Sequence, residues 1–174
     1  MSRITTDAVA RAMMAYFAGD PKRVQHFLKV HAFSALIGRA EGLNADTQYT
    51  LELAALTHDI GIRNAERRFG RCDGRLQEQE GPPEAAALLR GLGVADTTIE
   101  RVCWLIAHHH TYTAIDGIDY QILVEADFLV NAYEDALSPQ AAAAVYRNLF
   151  RTKAGREIFE TLYGQQEEES RHDT

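Results

Sequence analysis

His58 and Asp59 stand side by side at the end of an apolar run, Leu51-Glu-Leu-Ala-Ala-Leu-Thr57, and Ile60-Gly61 follows directly. An imidazole and a carboxylate both bind metals and both resist burial, since hiding an unpartnered polar group costs roughly 2–7 kcal/mol. A bound cation would offset that cost. Two further donors point inward from other segments. His26 shares a helical stripe with Val30, Phe33 and Ile37, by the three-and-four spacing that aligns side chains on one face. Asp127 shares such a stripe with Leu123 and Val130. An acid among apolar neighbours needs a counter-charge, either an arginine such as Arg23 or a metal. If these segments pack together, two imidazoles and two carboxylates form a mixed nitrogen and oxygen set. Such a set suits a divalent transition metal and leaves positions for water and substrate oxygens.

Helices must hold these residues, and the chain is punctuated for helices throughout, with no strand-like alternation. Thr6 or Asp7 can cap a first helix reaching about Ala18. Pro21 suits the first turn of a second, which Gly42 ends. Asp46 or Thr47 opens a third that finishes at His58-Asp59. The polar stretch from Arg63 to Gly81 reads as a loop with room for a short helix, and Pro82-Pro83 reads as the start of the next helix. Thr97 and Glu100 have capping-box spacing ahead of a helix running into His108-His109-His110. Helices from about Asp119 to Ala136, from Ser138-Pro139 to Phe150, and from Thr152 to Tyr163 complete the set. Trp104, Phe128, Met13 and Met14 fit core positions. The expected fold is all-α, one helical domain over residues 1–163 with about six to eight helices. A polar tail over residues 164–174 is expected to be disordered.

The 174 residues carry a formal net charge of -7, with 46% hydrophobic and 25% charged residues. That composition is globular. The acidic balance argues against a nucleic-acid polymer as partner while leaving a nucleotide open as substrate. Cys72 and Cys103 lack CxxC spacing. With no secretory leader visible and no apolar run near the roughly 18 residues that cross a bilayer, they are expected as reduced thiols of a cytoplasmic protein without a membrane partner. Oligomeric state stays open.

Arg23-Val-Gln-His26-Phe-Leu-Lys-Val30 resembles the R-x-x-H-x-x-x-V helix of the HD-domain metal-dependent phosphohydrolases. Leu53-Ala-Ala-Leu-Thr-His58-Asp59-Ile-Gly61 resembles the defining motif of that superfamily, and Glu125-Ala-Asp127-Phe-Leu resembles its closing helix. The likeness spans about Pro21 to Asp135, with the motifs in the family's order. It implies an HD-type helical bundle in which His26, His58, Asp59 and Asp127 bind a catalytic metal. It also implies hydrolysis of a phosphoester or phosphoanhydride, with a nucleotide or related small phosphorylated metabolite as substrate. The cofactor would be one or two divalent ions (Mn, Fe, Co, Ni, Mg or Zn), lowering the pKa of bound water from 15.7 toward about 7. Asp59 and His58 would be the catalytic pair, Asp59 accepting the water proton.

The chain departs from the family pattern in two places. Two-metal members carry a His-Gly segment where this chain has Glu80-Gly81. Glu80 either supplies a hard oxygen ligand to a second metal or neutralises nearby arginines on a solvated loop. His109 and His110 are expected as further second-metal ligands. Three successive residues spread around a helix axis by about 100° each, so His108 is assigned to substrate instead. Many members carry lysine after the Ile-Gly, whereas this chain has Ile62 and then Arg63. Arg63 is therefore expected to contact substrate phosphate, since guanidinium suits bidentate capture. Arg67, Arg68, Arg71 and Arg75 read mainly as solvated surface. The alternatives to hydrolysis are a di-iron oxygenase of the same fold and a non-catalytic nucleotide-sensing domain.

Overall fold

The helical punctuation is realised in nine α-helices among residues 3–164, the residues that a computed structural model describes. These are α1 (Thr6–Tyr16), α2 (Pro21–Ala40), α3 (Ala45–Thr57), α4 (Ile62–Phe69), α5 (Gly74–Leu92), α6 (Asp96–Ile106), α7 (Ile118–Glu134), α8 (Pro139–Leu149) and α9 (Lys153–Tyr163). The fold is all-α, as expected. Apart from Gly164, the tail expected to be disordered lies outside the described residues, and His172 with it. No helix among the described residues is long and apolar enough to cross a membrane. Both cysteines are free.

Most helices start where a short polar side chain takes up orphan backbone N–H groups, each such cap contributing about 1 kcal/mol. Thr5, Asp20, Asn44, Asp73, Ser138 and Thr152 all act this way. Thr5 and Asn44 therefore replace the expected Thr6 or Asp7 and Asp46 or Thr47. The Thr97–Glu100 box does not form, because α6 begins two residues too early for it. Its cap is Ala95, without a side-chain bond.

Helix α3 is the centre of the bundle. Leu51, Leu53, Ala54, Ala55 and Leu56 are all 0% exposed, because α1, α2, α6 and α7 surround it. Enclosed over its last two turns, the helix needs no polar face there, which explains an apolar run broken only by Glu52. Each fully buried leucine contributes about 1.5–3 kcal/mol. Met13 joins this core while Met14 is exposed, since neighbours about 100° apart cannot share one face.

The stretch from Arg63 to Gly81 is mostly helix instead of loop. α4 occupies residues 62–69, Gly70 turns the chain at φ +68°, and α5 starts at Gly74 with Pro82 and Pro83 inside it. Asp73 caps α5, and the Glu and Gln residues that follow are good helix formers. The prolines remove two intrahelical donors without ending the helix. A tight backbone approach locks α5 onto the turn after α3. A Cβ on Gly61 would lie 2.5 Å from the Gly81 nitrogen, and one on Gly81 would lie 2.5 Å from Ile106 Cγ2. Only glycine fits at either position.

Helix α9 is tied to α7 through Glu125, which is 0% exposed. Its carboxylate accepts from Gln121 Nε2 at 2.7 Å, Arg151 N at 2.6 Å, Thr152 N at 3.0 Å and the Thr152 hydroxyl.

Candidate metal centre

Four helices and two turns deliver the polar groups to one place. His26 comes from α2, His58 and Asp59 from the end of α3, Asp127 from α7, and His109 and His110 from the turn closing α6. His58 is 0% exposed, His109 1% and Asp127 5%.

His26 Nε2 lies 3.2 Å from His58 Nε2, 3.3 Å from Asp59 Oδ2 and 3.2 Å from Asp127 Oδ1. His58 Nε2 is 3.4 Å from Asp59 Oδ2 and 3.5 Å from Asp127 Oδ1. The other oxygen of Asp59, Oδ1, lies 3.5 Å from His109 Nε2. Atoms bound to a common ion at about 2.1–2.2 Å sit about 3.0–3.6 Å apart along octahedral or tetrahedral edges, which matches this spacing.

The far side of each ring fixes its tautomer. His26 Nδ1 lies 2.8 Å from Glu134 Oε2, His58 Nδ1 2.8 Å from the Ala55 carbonyl, and His109 Nδ1 2.7 Å from the Ile106 carbonyl. Each partner can only accept, so each Nδ1 carries a proton and donates it. In the neutral rings every Nε2 therefore presents a lone pair to the centre. Gln77 Nε2 donates to the Cys72 carbonyl at 3.0 Å, which turns its Oε1 toward His110 Nε2 at 2.8 Å. That leaves Nδ1 of His110 as its ligating atom. Gly74 makes room for this ring, since a Cβ there would lie 2.9 Å from it.

Lone pairs thus face carboxylate oxygens, and positive charge must come from added protons or from a cation. Asp127 Oδ1 and His109 Nε2 are buried without a hydrogen-bond partner, each at a cost of about 1–3 kcal/mol if left so. Asp127 Oδ1 is close to His26 Nε2, but in a contact that lacks hydrogen-bond geometry. Arg23 does not neutralise Asp127, being engaged with Asp20 and Glu66. The protonation equilibria register the same demand. Burial works against a charged His58 ring, yet Asp59 and Asp127 outweigh it and push the pKa up to about 9. His26 moves upward against its own burial, drawn by Asp127 and Asp59. Burial opposes the Asp59 charge as well, but His58, His109 and His26 hold its carboxyl at about 2. Asp127 lies well below the ordinary range, with His26 and His58 overcoming its burial. His110 goes the other way, to about 4, through burial and the adjacent His109. Two sets of donors could therefore hold an ion: His26, His58 and Asp59, with Asp127 alongside, and Asp59, His109 and His110.

Three of the residues singled out in the sequence stand apart from both sets. Glu80 is buried at 4% exposure, and its oxygens accept from Arg68 Nη1 at 3.0 and 2.8 Å. Arg63 donates to the Tyr16 carbonyl at 2.7 Å, its guanidinium lying over the Tyr16 ring. His108 stacks on Trp104 with ring centroids 4.1 Å apart, and its Nδ1 donates to the Trp104 carbonyl. Conversely, Glu134 and Gln77 escaped the sequence reading. Glu134 lies two turns beyond Asp127 on the same face of α7, a signal that was available. It bridges His26 and Lys29, whose Nζ is 2.6 Å away. Gln77 fell in the stretch read as loop.

A family model described as HD domain matches residues 23–147. Among solved structures, the chain is similar to the crystal structure of a predicted HD superfamily hydrolase from an uncultured Thermotogales bacterium, determined at 1.45 Å resolution. The two share 26% sequence identity with a TM-score of 0.67, covering 95% of this chain and 89% of that one. No protein of curated function matches the chain.

Proposed function

Because the chain belongs to the HD-domain family, we propose that it is a metal-dependent phosphohydrolase. Its substrate would be a phosphoester or phosphoanhydride of a nucleotide or related small phosphorylated metabolite. One observation carries the reading: imidazole Nε2 atoms and carboxylate oxygens converge at 3.2–3.5 Å, and Asp127 Oδ1 and His109 Nε2 are buried there without a hydrogen-bond partner. The likeness to a predicted hydrolase supports the reaction class. His26, His58, Asp59 and Asp127 would hold one divalent ion, and Asp59, His109 and His110 a second. Such an ion would supply Lewis acidity toward a phosphoryl oxygen and a water activated at neutral pH.

The chain's own residues supply orientation and proton handling. Glu134 and the carbonyls of Ala55 and Ile106 hold His26, His58 and His109 with Nε2 turned inward. His58 is fully buried beneath Asp59 and Asp127. Asp59 turns one oxygen to each donor set, and Oδ1 is the acceptor for the proton of the attacking water.

Full-length protein stripped by a chelator and reloaded singly with Mn, Co, Fe, Ni, Mg or Zn tests this directly. Assayed against nucleoside phosphates and sugar phosphates, it should release phosphate or pyrophosphate with at least one metal. Asp59→Asn should lower that rate by roughly 100-fold or more. Protein that binds metal yet turns over none of these substrates refutes the assignment. An Asp59 carboxylate shared by two donor sets also fits a di-iron oxygenase. Two equivalents of iron per chain, oxygen consumption and no phosphate release would move the assignment there.

A further inference from the structure

We infer that Arg68, held in place by the buried carboxylate of Glu80, binds the phosphoryl group of the substrate. The inference rests on the phosphohydrolase reading of the same site and adds its anion-binding residue.

The sequence leaves Arg68 among solvated arginines, but the structure separates it from them. Glu80 is 4% exposed, and both its oxygens accept from a single nitrogen, Nη1 of Arg68. That contact fixes the guanidinium and leaves Nε and Nη2 without a protein partner among the described residues. The Arg68 side chain is 61% exposed, so this N–H edge meets solvent. The neighbouring cations are engaged elsewhere or held by nothing buried. Arg23 is paired with Asp20 and Glu66, Arg71 with Asp73, Lys29 with Glu134, and Arg63 lies on the Tyr16 carbonyl. Arg67 and Arg75 are exposed.

Position ties the pair to the metal centre. Gln77, Glu80 and Glu84 lie three and four residues apart on α5 and so share one face. Glu84 accepts from Asn64 of α4, and Gln77 holds the His110 ring. Glu80 is one helical turn, about 5 Å, beyond that anchor. Next to it, Gly81 packs on the turn carrying His58 and Gly61; a Cβ there would come within 3.9 Å of the His58 carbonyl oxygen. The centre itself holds the carboxylates of Asp59 and Asp127, with Glu134 behind His26. A phosphoryl anion entering such a field needs a cation beyond any bound ion, and the guanidinium edge matches two phosphate oxygens. Glu80 is then a positioning residue, which explains a buried acid that joins neither donor set.

The test is calorimetric titration of inorganic phosphate into full-length protein, with and without manganese, alongside manganese stoichiometry. Arg68→Ala strands the Glu80 carboxylate, so the double variant Arg68→Met/Glu80→Gln, which removes both charges, accompanies it. Both should keep the wild-type manganese stoichiometry while phosphate Kd rises roughly 10- to 100-fold. Arg68→Lys should recover part of the loss, and Arg67→Ala should leave Kd unchanged. A substrate KM that rises in the double variant with kcat largely retained would agree. Unchanged phosphate affinity in the double variant overturns the inference, as does wild-type protein that binds no phosphate. Phosphate bound through Arg68 by a protein that hydrolyses no phosphoester would sink the phosphohydrolase reading and leave this one standing.

Discussion

Removing the carboxylate of Glu134 should weaken metal binding without touching any proposed ligand. In Glu134→Ala the Nδ1 proton of His26 loses an acceptor 2.8 Å away, in a side chain 16% exposed. Nothing then dictates which ring nitrogen carries the proton, and the ring is free to turn. Loss of such a partner behind a ligating histidine typically costs 10–100-fold in metal affinity, about 1.4–2.7 kcal/mol. The ion pair lost at the same time matters less. Lys29 is 42% exposed at 2.6 Å from Glu134, and pairs of that kind contribute about 0–1 kcal/mol. Lys29→Ala should therefore leave metal affinity nearly unchanged. Glu134→Gln keeps a neutral acceptor oxygen and should fall between the two. Manganese titrations against a chromophoric chelator, on wild type and the three variants, would rank them. Equal affinity in wild type and Glu134→Ala would refute the reasoning, and so would a loss in Lys29→Ala as large as that in Glu134→Ala.

Stability of the metal-free protein should depend on pH in two opposed ways. Asp59, held at about 2, contributes stability that is full above its ordinary value of 3.8 and is lost as pH falls toward 2. His58, pushed up to about 9, contributes stability that is full below 6.5 and is lost as pH rises through 9. Thermal melts should thus peak between those ordinary values, and manganese should raise Tm more at alkaline than at mildly acidic pH, because binding displaces protons. Gly61→Ala would drive a Cβ to 2.5 Å from the Gly81 nitrogen and 2.8 Å from the Gln77 carbonyl. It should lose about 2–3 kcal/mol, or about 5–10 °C in Tm. Gly91→Ala, within α5 and meeting nothing within 4 Å, should instead gain about 0.5–1 kcal/mol in a denaturant titration. Elemental analysis of His109→Ala should show loss of one manganese equivalent from a two-ion protein, whereas Asp59→Ala should lose both.

The donors were legible wherever the chain buries them in an obvious apolar setting. His58 and Asp59 end a run with no polar face, and His26 and Asp127 interrupt clean stripes. Such signals are local and need no knowledge of neighbours. The first half of α5, before Pro82-Pro83, was hidden because its sequence is rich in Gln and Glu and offers Leu76 as its one large apolar residue. Its helicity comes from the Asp73 cap and from docking of Gly81 against Gly61. Glu80 left two roles open in the sequence, ligand or partner of an arginine, and its contact with Arg68 is the second of them. An acidic side chain takes its meaning from the partner it meets, and Arg68 lies on another helix, whereas the seven-residue spacing of Glu134 from Asp127 could be read directly.

Glu125 sets the smallest fragment that can be expected to fold. Three of its four donors come from Arg151 and Thr152, downstream of the family match, which stops at residue 147. A polypeptide trimmed to that boundary would keep every proposed ligand and still carry into its interior an anion with a single remaining donor, Gln121. The recognisable motif is therefore narrower than the cooperative unit, and the terminal helix that contributes nothing to chemistry is needed for the rest to assemble.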